Sequence, residues 1–291
     1  MENDALCRPL TPDDSAAFVE FLGGFPTTEY RDWARLFHHG WNVLDDTVGF
    51  GLFHNEKPVG YLGTIQTQRT LAGSTFRLVN LSTWFVEKPY RAHSLDPQRM
   101  VLAYENCISV GHTIIPQVVK RYESIGYVGF DFYTRLMFWN PLAGIVRSRE
   151  FSVCSDEAAL AYATDEEQRY VRDHRSCDCI PFAVTTSTGD RCFIMAQRVL
   201  RRYKGQVLAT AHCVYVSDRD LFRRLNAQLR NAIMKRLDCR LLAIDERYVV
   251  DAKVPLSMRI PMITPRMSRN NIGFDPLLLD NLYTELVLFK Y

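Results

Sequence analysis

One stretch of the chain gathers groups suited to holding an anion and moving a proton. It spans residues 78–95, Leu78-Val-Asn-Leu-Ser-Thr-Trp-Phe-Val-Glu-Lys-Pro-Tyr-Arg-Ala-His-Ser-Leu95. Its apolar and aromatic first half predicts a strand, and Asp96-Pro97 then opens a helix, the aspartate as cap and the proline in the first turn. A loop delivered onto a helix N-terminus meets free N–H groups and the positive end of the helix dipole, an arrangement that receives a pyrophosphate. Arg91 adds a fork of N–H donors. Without that chemistry the segment is an ordinary strand-to-helix connection. Glu87, at the mouth of the strand, is a candidate general base; a solvated strand-end glutamate is the alternative. His93 and His112 are further candidate bases, each equally able to bond a backbone carbonyl.

Other chemistries find less support. His38-His39, Asp45-Asp46 and His54 suggest a metal cluster by composition, but adjacent histidines on a helix diverge, and no metal is expected. The eight cysteines are scattered singly except for Cys177-Asp-Cys179, which reads as a reduced loop pair rather than a redox or metal site. A Gly-x-Ser-x-Gly elbow, a Walker loop and a dinucleotide fingerprint are all absent from the sequence.

The elements that must position these residues follow from local pattern. A strand over 6–10 precedes a helix over about 12–22, started by Thr11-Pro12 and stopped by Gly23-Gly24. A second helix is predicted over 28–39, with Tyr30, Trp33, Leu36 and Phe37 at helical spacing. Strands over 48–55, 57–69 and 76–87, separated by short turn signals, form an antiparallel meander. The helix from Asp96 buries Met100, Val101, Tyr104 and Ile108. A short strand over 112–115, a helix over 116–124 ended by Gly126, and a strand over 127–138 complete the first half. Residues 145–180 are charge-rich, including Arg147 and Glu150, and read as a connecting helix with loops. The order of hairpin, strand, helix, strand then repeats: strands over 181–187, 191–198 and 206–216, a helix over 218–237, and a strand over 240–245. The outward arginines and lysines of that long helix, such as Arg223 and Lys235, read as a solvated face. A helix over 277–288, capped at Asp275-Pro276, closes the chain.

Composition bounds the rest. The 291 residues are 47% hydrophobic and 23% charged, values of a folded globular chain. With 35 basic and 33 acidic residues the formal charge is +2, too balanced for a dedicated nucleic-acid binder. No apolar run approaches the ~20 residues of a membrane helix, and the acidic opening lacks the order of a signal peptide, so a cytoplasmic protein without membrane insertion is expected.

Against this background the sequence resembles the GNAT acyltransferases. Val86-Glu-Lys-Pro-Tyr-Arg91 is similar to the end of that family's central strand and its following loop, and Tyr122-Glu-Ser-Ile-Gly-Tyr127 to a segment at the end of its next helix. Cys7-Arg-Pro-Leu-Thr-Pro-Asp-Asp14 and Val59-Gly60-Tyr61 resemble its first strand and helix and a meander strand. The resemblance covers about 1–135 and implies an α/β (α+β) fold, a mixed, mostly antiparallel sheet flanked by helices, in which the fourth strand splays from the fifth around an acyl-CoA. Trp84, Phe85 and Val86 would then hold thioester and pantetheine through the backbone, and Arg91, Ala92, His93, Ser94 and Leu95 would cradle the pyrophosphate. Tyr122 would be the general acid that protonates the departing thiolate, with Glu87 as candidate base. Ser94 and Asp96 stand where the family's loop carries small residues; an aspartate there repels a pyrophosphate or turns inward as the helix cap.

The expected organisation is a GNAT-like half over 1–140, a connection over 141–180 and a second GNAT-like half over 181–291. The second half has no arginine-glycine loop, Val216-Ser-Asp-Arg-Asp220 being acidic, and is expected to shape the acceptor pocket. The implied activity is transfer from an acyl-CoA, acetyl-CoA foremost, to a small-molecule or sugar acceptor. The alternatives are a GNAT-shaped binding protein without activity and an aminoacyl-tRNA-dependent transferase.

Overall fold

The computed structural model describes residues 4–25, 31–41, 44–144, 151–203, 205–250 and 252–291. Its elements run β1 (Leu6–Leu10), α1 (Ser15–Gly23), β2 (Gly49–His54), β3 (Lys57–Leu71), β4 (Ser74–Val86), α2 (Asp96–Leu102), β5 (Cys107–Gly111), α3 (Val119–Ser124), β6 (Val128–Phe138), β7 (Phe151–Ser155), α4 (Glu157–Leu160), α5 (Asp165–Asp173), β8 (Ile180–Thr186), β9 (Arg191–Tyr203), β10 (Gln206–Val216), α6 (Arg219–Arg224), α7 (Asn226–Leu237), β11 (Leu241–Asp245), β12 (Ser257–Asn270) and α8 (Glu285–Leu288). None of the described helices is long and apolar enough to cross a membrane. The chain divides into two compact units. The first holds Met1–Phe130, Arg266–Leu279 and Tyr283–Phe289; the second holds Asp131–Pro265, Asp280–Leu282 and Lys290–Tyr291.

In the first unit β1, β2, β3 and β4 form an antiparallel meander. The turn from β2 to β3 places Asn55 at φ 48° and Glu56 at φ 64°, the two left-handed residues that match a tight hairpin to the twist of its strands. β5 joins β4 in parallel, from Arg77 opposite Cys107 to Leu81 opposite Gly111. A parallel neighbour needs a crossover, which α2 supplies. The far edge of β5 is closed by residues 267–270 of β12, antiparallel. Side chains alternate across the sheet. Phe50, Leu62, Val79 and Leu81 pack with Val101 of α2 and Tyr122 of α3. On the other face Phe76, Leu78, Ile108 and Val110 pack with Phe274 and Leu279.

The second unit has the same order of pairing. β7, β8, β9 and β10 form an antiparallel meander. β10 then pairs with β11 in parallel, Thr210 with Leu241 to His212 with Ala243, across the crossover of α6 and α7. Residues 134–138 of β6 close the sheet against β11. Phe182, Ile194, Cys213, Leu229, Ile233 and Leu242 lie in its core.

The sixth strand of each unit therefore comes from the other half of the sequence. A division at 140 and 180, with everything after 181 in one half, does not contain this exchange, because pairing between remote strands leaves no local mark. Other departures have local causes. Residues 107–111, buried on both faces, lack the alternation of a half-exposed strand; Ile108 belongs to β5 and not to the helix before it, and no strand covers 112–115. Among the described residues of 28–39 only a single turn, Trp33–Leu36, is helical; 28–30 lie outside them. Within 145–180, a short strand and helices α4 and α5 replace the single connecting helix, while Arg147 and Glu150 lie outside the described residues. The 277–288 run is helical only at Pro276–Leu278 and at α8, although Asp275 does cap, accepting from the Leu277 N–H at 3.0 Å.

Candidate functional site

The parallel ladder of the first unit ends abruptly. Leu81 opposite Gly111 is its last pair, yet β4 continues to Val86 alongside β3. Among the described residues, 82–86 therefore keep one strand neighbour, and their other edge faces a gap in the ladder. The gap is sharpened by a bulge: Leu62 and Thr64 of β3 face Trp84 and Leu81 of β4, so β4 carries one extra residue at 82–83. The bulge turns both Leu81 and Trp84 toward the α2 and α3 face. Phe85 points the other way and stacks on Phe25 at 4.5 Å. Trp84, Phe85 and Val86, the sequence-predicted contacts for a thioester, all lie on this free edge and are half-buried.

The loop beyond β4 wraps into a 3-10 turn, Lys88–His93, that leads to α2. Glu87 starts that turn, its N–H bonded to Val59 O at 2.9 Å and its side chain half-buried. Arg91 and Ala92 are exposed and His93 and Leu95 half-buried, while Ser94 is buried. Ser94 is engaged by a residue that sequence reading missed: Arg121 of α3 donates to Ser94 Oγ at 2.8 Å, and its guanidinium lies over the Trp84 ring. A cation from α3 thus reaches the loop that the sequence assigned to Arg91 alone. Asp96 neither caps α2 nor stands unopposed. Arg99 binds one of its oxygens at 2.7 Å and His93 Nδ1 lies 3.1 Å from the other. The repulsion expected of Asp96 is thereby offset within the first turn of the helix.

Tyr122 lies in the core on this face, 3% exposed, edge-on to Trp84 at 5.6 Å and to Tyr127 at 5.0 Å. Burial raises its phenol well above the ordinary value, an effect that Gln98 of α2 partly offsets. The phenol is therefore a proton holder throughout the neutral range, able to give a proton and not to take one.

On the opposite face the parting strands carry a second polar group. Asn80, the residue before the last ladder pair, donates its amide N–H to Glu285 of α8, and its Oδ1 lies 3.0 Å from His112 Nδ1. Thr113 donates to the other Glu285 oxygen at 2.9 Å, and Arg266 of β12 donates to the His112 carbonyl. Asn80, His112 and Glu285 are each at most 2% exposed. Burial pushes the Glu285 carboxyl up, with Asn80, Thr113 and Arg266 working against it. Of these residues the sequence singled out His112 alone. The signal for the others was present: an asparagine inside Leu78-Val-Asn-Leu81 and a glutamate before Leu-Val-Leu288 are polar groups in runs that otherwise read as core.

The remaining candidates resolve into structural roles. His39 accepts from the Trp41 N–H at 3.0 Å, burial lowering its pKa to about 4, while His54 meets the Asp4 carbonyl and Asp45 binds the Thr47 N–H and Arg77. No metal-binding group of His, Cys, Asp or Glu occurs among the described residues. Cys177 and Cys179 are buried, and burial raises the Cys179 thiol, which suits inert packing. In the second unit Asp218 caps α6 through the Leu221 N–H at 2.8 Å, so the acidic segment there is a helix start. Beyond its parallel ladder sits Arg247, 3% exposed, bound to Asp245 at 2.7 Å, Asp131 at 3.1 Å and Asn281 at 2.6 Å.

No family model matches the sequence, and no curated protein matches it either. Solved structures do match. A GCN5-related N-acetyltransferase from Kribbella flavida is similar at 14% identity and a TM-score of 0.51, over 92% of this chain and 71% of that one. One from Anabaena variabilis is similar at 7% identity and a TM-score of 0.55, over 92% and 73%. Saccharomyces cerevisiae N-myristoyltransferase with bound myristoyl-CoA is similar at 10% identity and a TM-score of 0.52, over 97% and 83%. With its meander, its parallel pair parting at Leu81 and Gly111, and the bulge at 82–83, the chain has the fold of the GCN5-related N-acetyltransferases.

Proposed function

We propose that the protein is an acyl-CoA-dependent N- or O-acyltransferase, with acetyl-CoA as the first donor to test and a small molecule or sugar as acceptor. The observation that carries this reading is the parting of β4 from β5 beside a bulge, which frees the backbone of residues 82–86 on one edge. Free N–H and C=O groups in an extended segment pair with an amide-bearing chain such as pantetheine, as a strand edge pairs with a peptide. A solved structure of the same fold, the N-myristoyltransferase, holds an acyl-CoA.

In this reading Trp84, Phe85 and Val86 line the thioester, and Arg91, Ala92, His93, Ser94 and Leu95 meet the pyrophosphate. Arg121, held at Ser94, supplies the positive charge that loop glycines supply as close-packed N–H groups elsewhere. The donor brings the activated carbonyl; the protein's own contribution is proximity, since a bound acceptor beside a fixed thioester turns a bimolecular step into a unimolecular one. Tyr122 returns a proton to the thiolate, a role suited to a phenol that stays protonated. The two unit topologies match, which supports a double-GNAT arrangement. The balanced charge favours a small-molecule acceptor over nucleic acid.

Calorimetric titration with acetyl-CoA, free CoA and desulfo-CoA tests the reading. Micromolar binding is the expected result. Absence of binding to all three overturns it and favours a binding protein of this fold or an aminoacyl-tRNA donor.

A further inference from the structure

Ser82 and His112 are the first residues beyond the last ladder pair, one on each parting strand. The polar group here has an internal logic. Glu285 accepts from Thr113 and from the Asn80 amide N–H, which fixes the amide orientation and turns Asn80 Oδ1 toward His112. A carbonyl oxygen only accepts, so the ring nitrogen it meets, Nδ1, carries the hydrogen. The proton-accepting lone pair is then on Nε2. A carboxylate acting through an amide thus selects one histidine tautomer, the arrangement by which a buried imidazole is kept ready as a base. Charged groups around it include Glu285 from α8, one residue removed through Asn80, and Arg266 from β12, whose guanidinium bonds the His112 carbonyl; Phe130 of β6 presents an aromatic ring at 6.4 Å. Glu87, the base suggested by the sequence, sits at the outer end of β4, where it starts the 3-10 turn.

We propose that His112 is the general base of the transfer, held in its Nδ1–H form by Asn80, with Glu285 as the positioning residue behind it. The inference rests on the acyltransferase reading. The acceptor nitrogen or oxygen attacks the thioester carbonyl, forming the new C–N or C–O bond as its proton passes to His112 Nε2. The C–S bond breaks, the sulfur leaves as thiolate, and that thiolate takes a proton from Tyr122. The imidazolium proton then restores the phenol through the solvent of the gap. One acyl group moves, no electrons are gained or lost, and the products are the acylated acceptor and CoA thiol. Tyr122 and His112 lie on opposite faces of the sheet, so acid and base approach the reacting carbon from its two sides.

Nitrogen-15 NMR of histidine-labelled protein reads the tautomer directly, with the His112 signals assigned by their loss in His112→Asn. The Nδ1–H form in the wild type is expected; the Nε2–H form overturns the proposal. Thiol release from acetyl-CoA, with water and glucosamine as probe nucleophiles, reads the chemistry. His112→Asn keeps an N–H donor for Asn80 and deletes only the base. It should lower the rate ~10²-fold while the acetyl-CoA dissociation constant stays unchanged; a wild-type rate overturns the proposal. Glu285→Gln should lower the rate about tenfold and move the acid limb of the pH–rate profile to lower pH, because a negative charge that favours the imidazolium is gone. A lowered rate with an unmoved limb would reduce Glu285 to a structural role. Calorimetry separates the two layers: failure of the wild type to bind acetyl-CoA sinks the acyltransferase reading, whereas binding with the wrong tautomer sinks the base assignment alone. Thermal melts confirm that each variant is folded.

Discussion

The amide of Asn80 donates to the carboxylate of Glu285 across 205 positions of sequence. This single contact ties the closing helix to the strand that frames the gap, and it places a buried acid where the strands part.

That burial makes stability depend on pH in a defined direction. Desolvation raises the Glu285 carboxyl above its ordinary value despite the opposing bonds from Asn80 and Thr113. A carboxyl raised in the folded state binds its proton more tightly there than in the unfolded chain. Its contribution is therefore full below the unfolded pKa and is lost as pH rises through the folded one. Glu285→Gln cannot titrate. The melting temperature of the variant minus that of the wild type should accordingly increase as pH is raised from about 4 toward neutrality. Thermal melts across that range check it, and a flat difference would contradict a raised carboxyl.

Tyr122→Phe removes a hydroxyl and keeps both edge-on contacts with Trp84 and Tyr127. The melting temperature should change little, while kcat falls ~10²-fold if the phenol protonates the thiolate. An unchanged kcat would leave Tyr122 a packing residue.

Arg121→Ala should weaken acetyl-CoA binding more than Arg91→Ala does, because Arg121 is anchored at Ser94 by a 2.8 Å bond and Arg91 is exposed. The loss for Arg121 should also shrink as salt is added, the mark of a phosphate contact. Titrations at two ionic strengths decide; equal, salt-independent losses would remove Arg121 from the anion site.

Asp96→Asn tests whether the aspartate opposes the cofactor. Since Arg99 and His93 already engage its oxygens, the variant should bind acetyl-CoA within about twofold of the wild type, a difference below ~0.5 kcal/mol. A tenfold gain would show that the charge faces the pyrophosphate after all.

In the second unit Arg247→Ala strips Asp131 and Asp245 of their buried counter-charge. Removing one partner of a buried pair costs about 3–5 kcal/mol, so the urea midpoint should fall sharply. A shift worth less than about 1 kcal/mol would mean that the aspartates are neutralised another way.

Much of the fold was legible residue by residue. The meander over β2, β3 and β4 was marked by its turn residues and α2 by Asp96-Pro97, because each depends on neighbours a few positions away. The loop that follows β4 from Pro89 was likewise found in sequence, since strand, turn and helix start are local chemistry. Tertiary structure alone decided the rest. The exchange of β6 and β12 between units, the approach of Arg121 to Ser94, and the meeting of Asn80, His112 and Glu285 all join residues remote in sequence. A buried asparagine or glutamate is affordable only when a distant partner satisfies it. The sequence by itself can therefore mark such a residue as out of place, but only folding brings up the partner that shows what it is for.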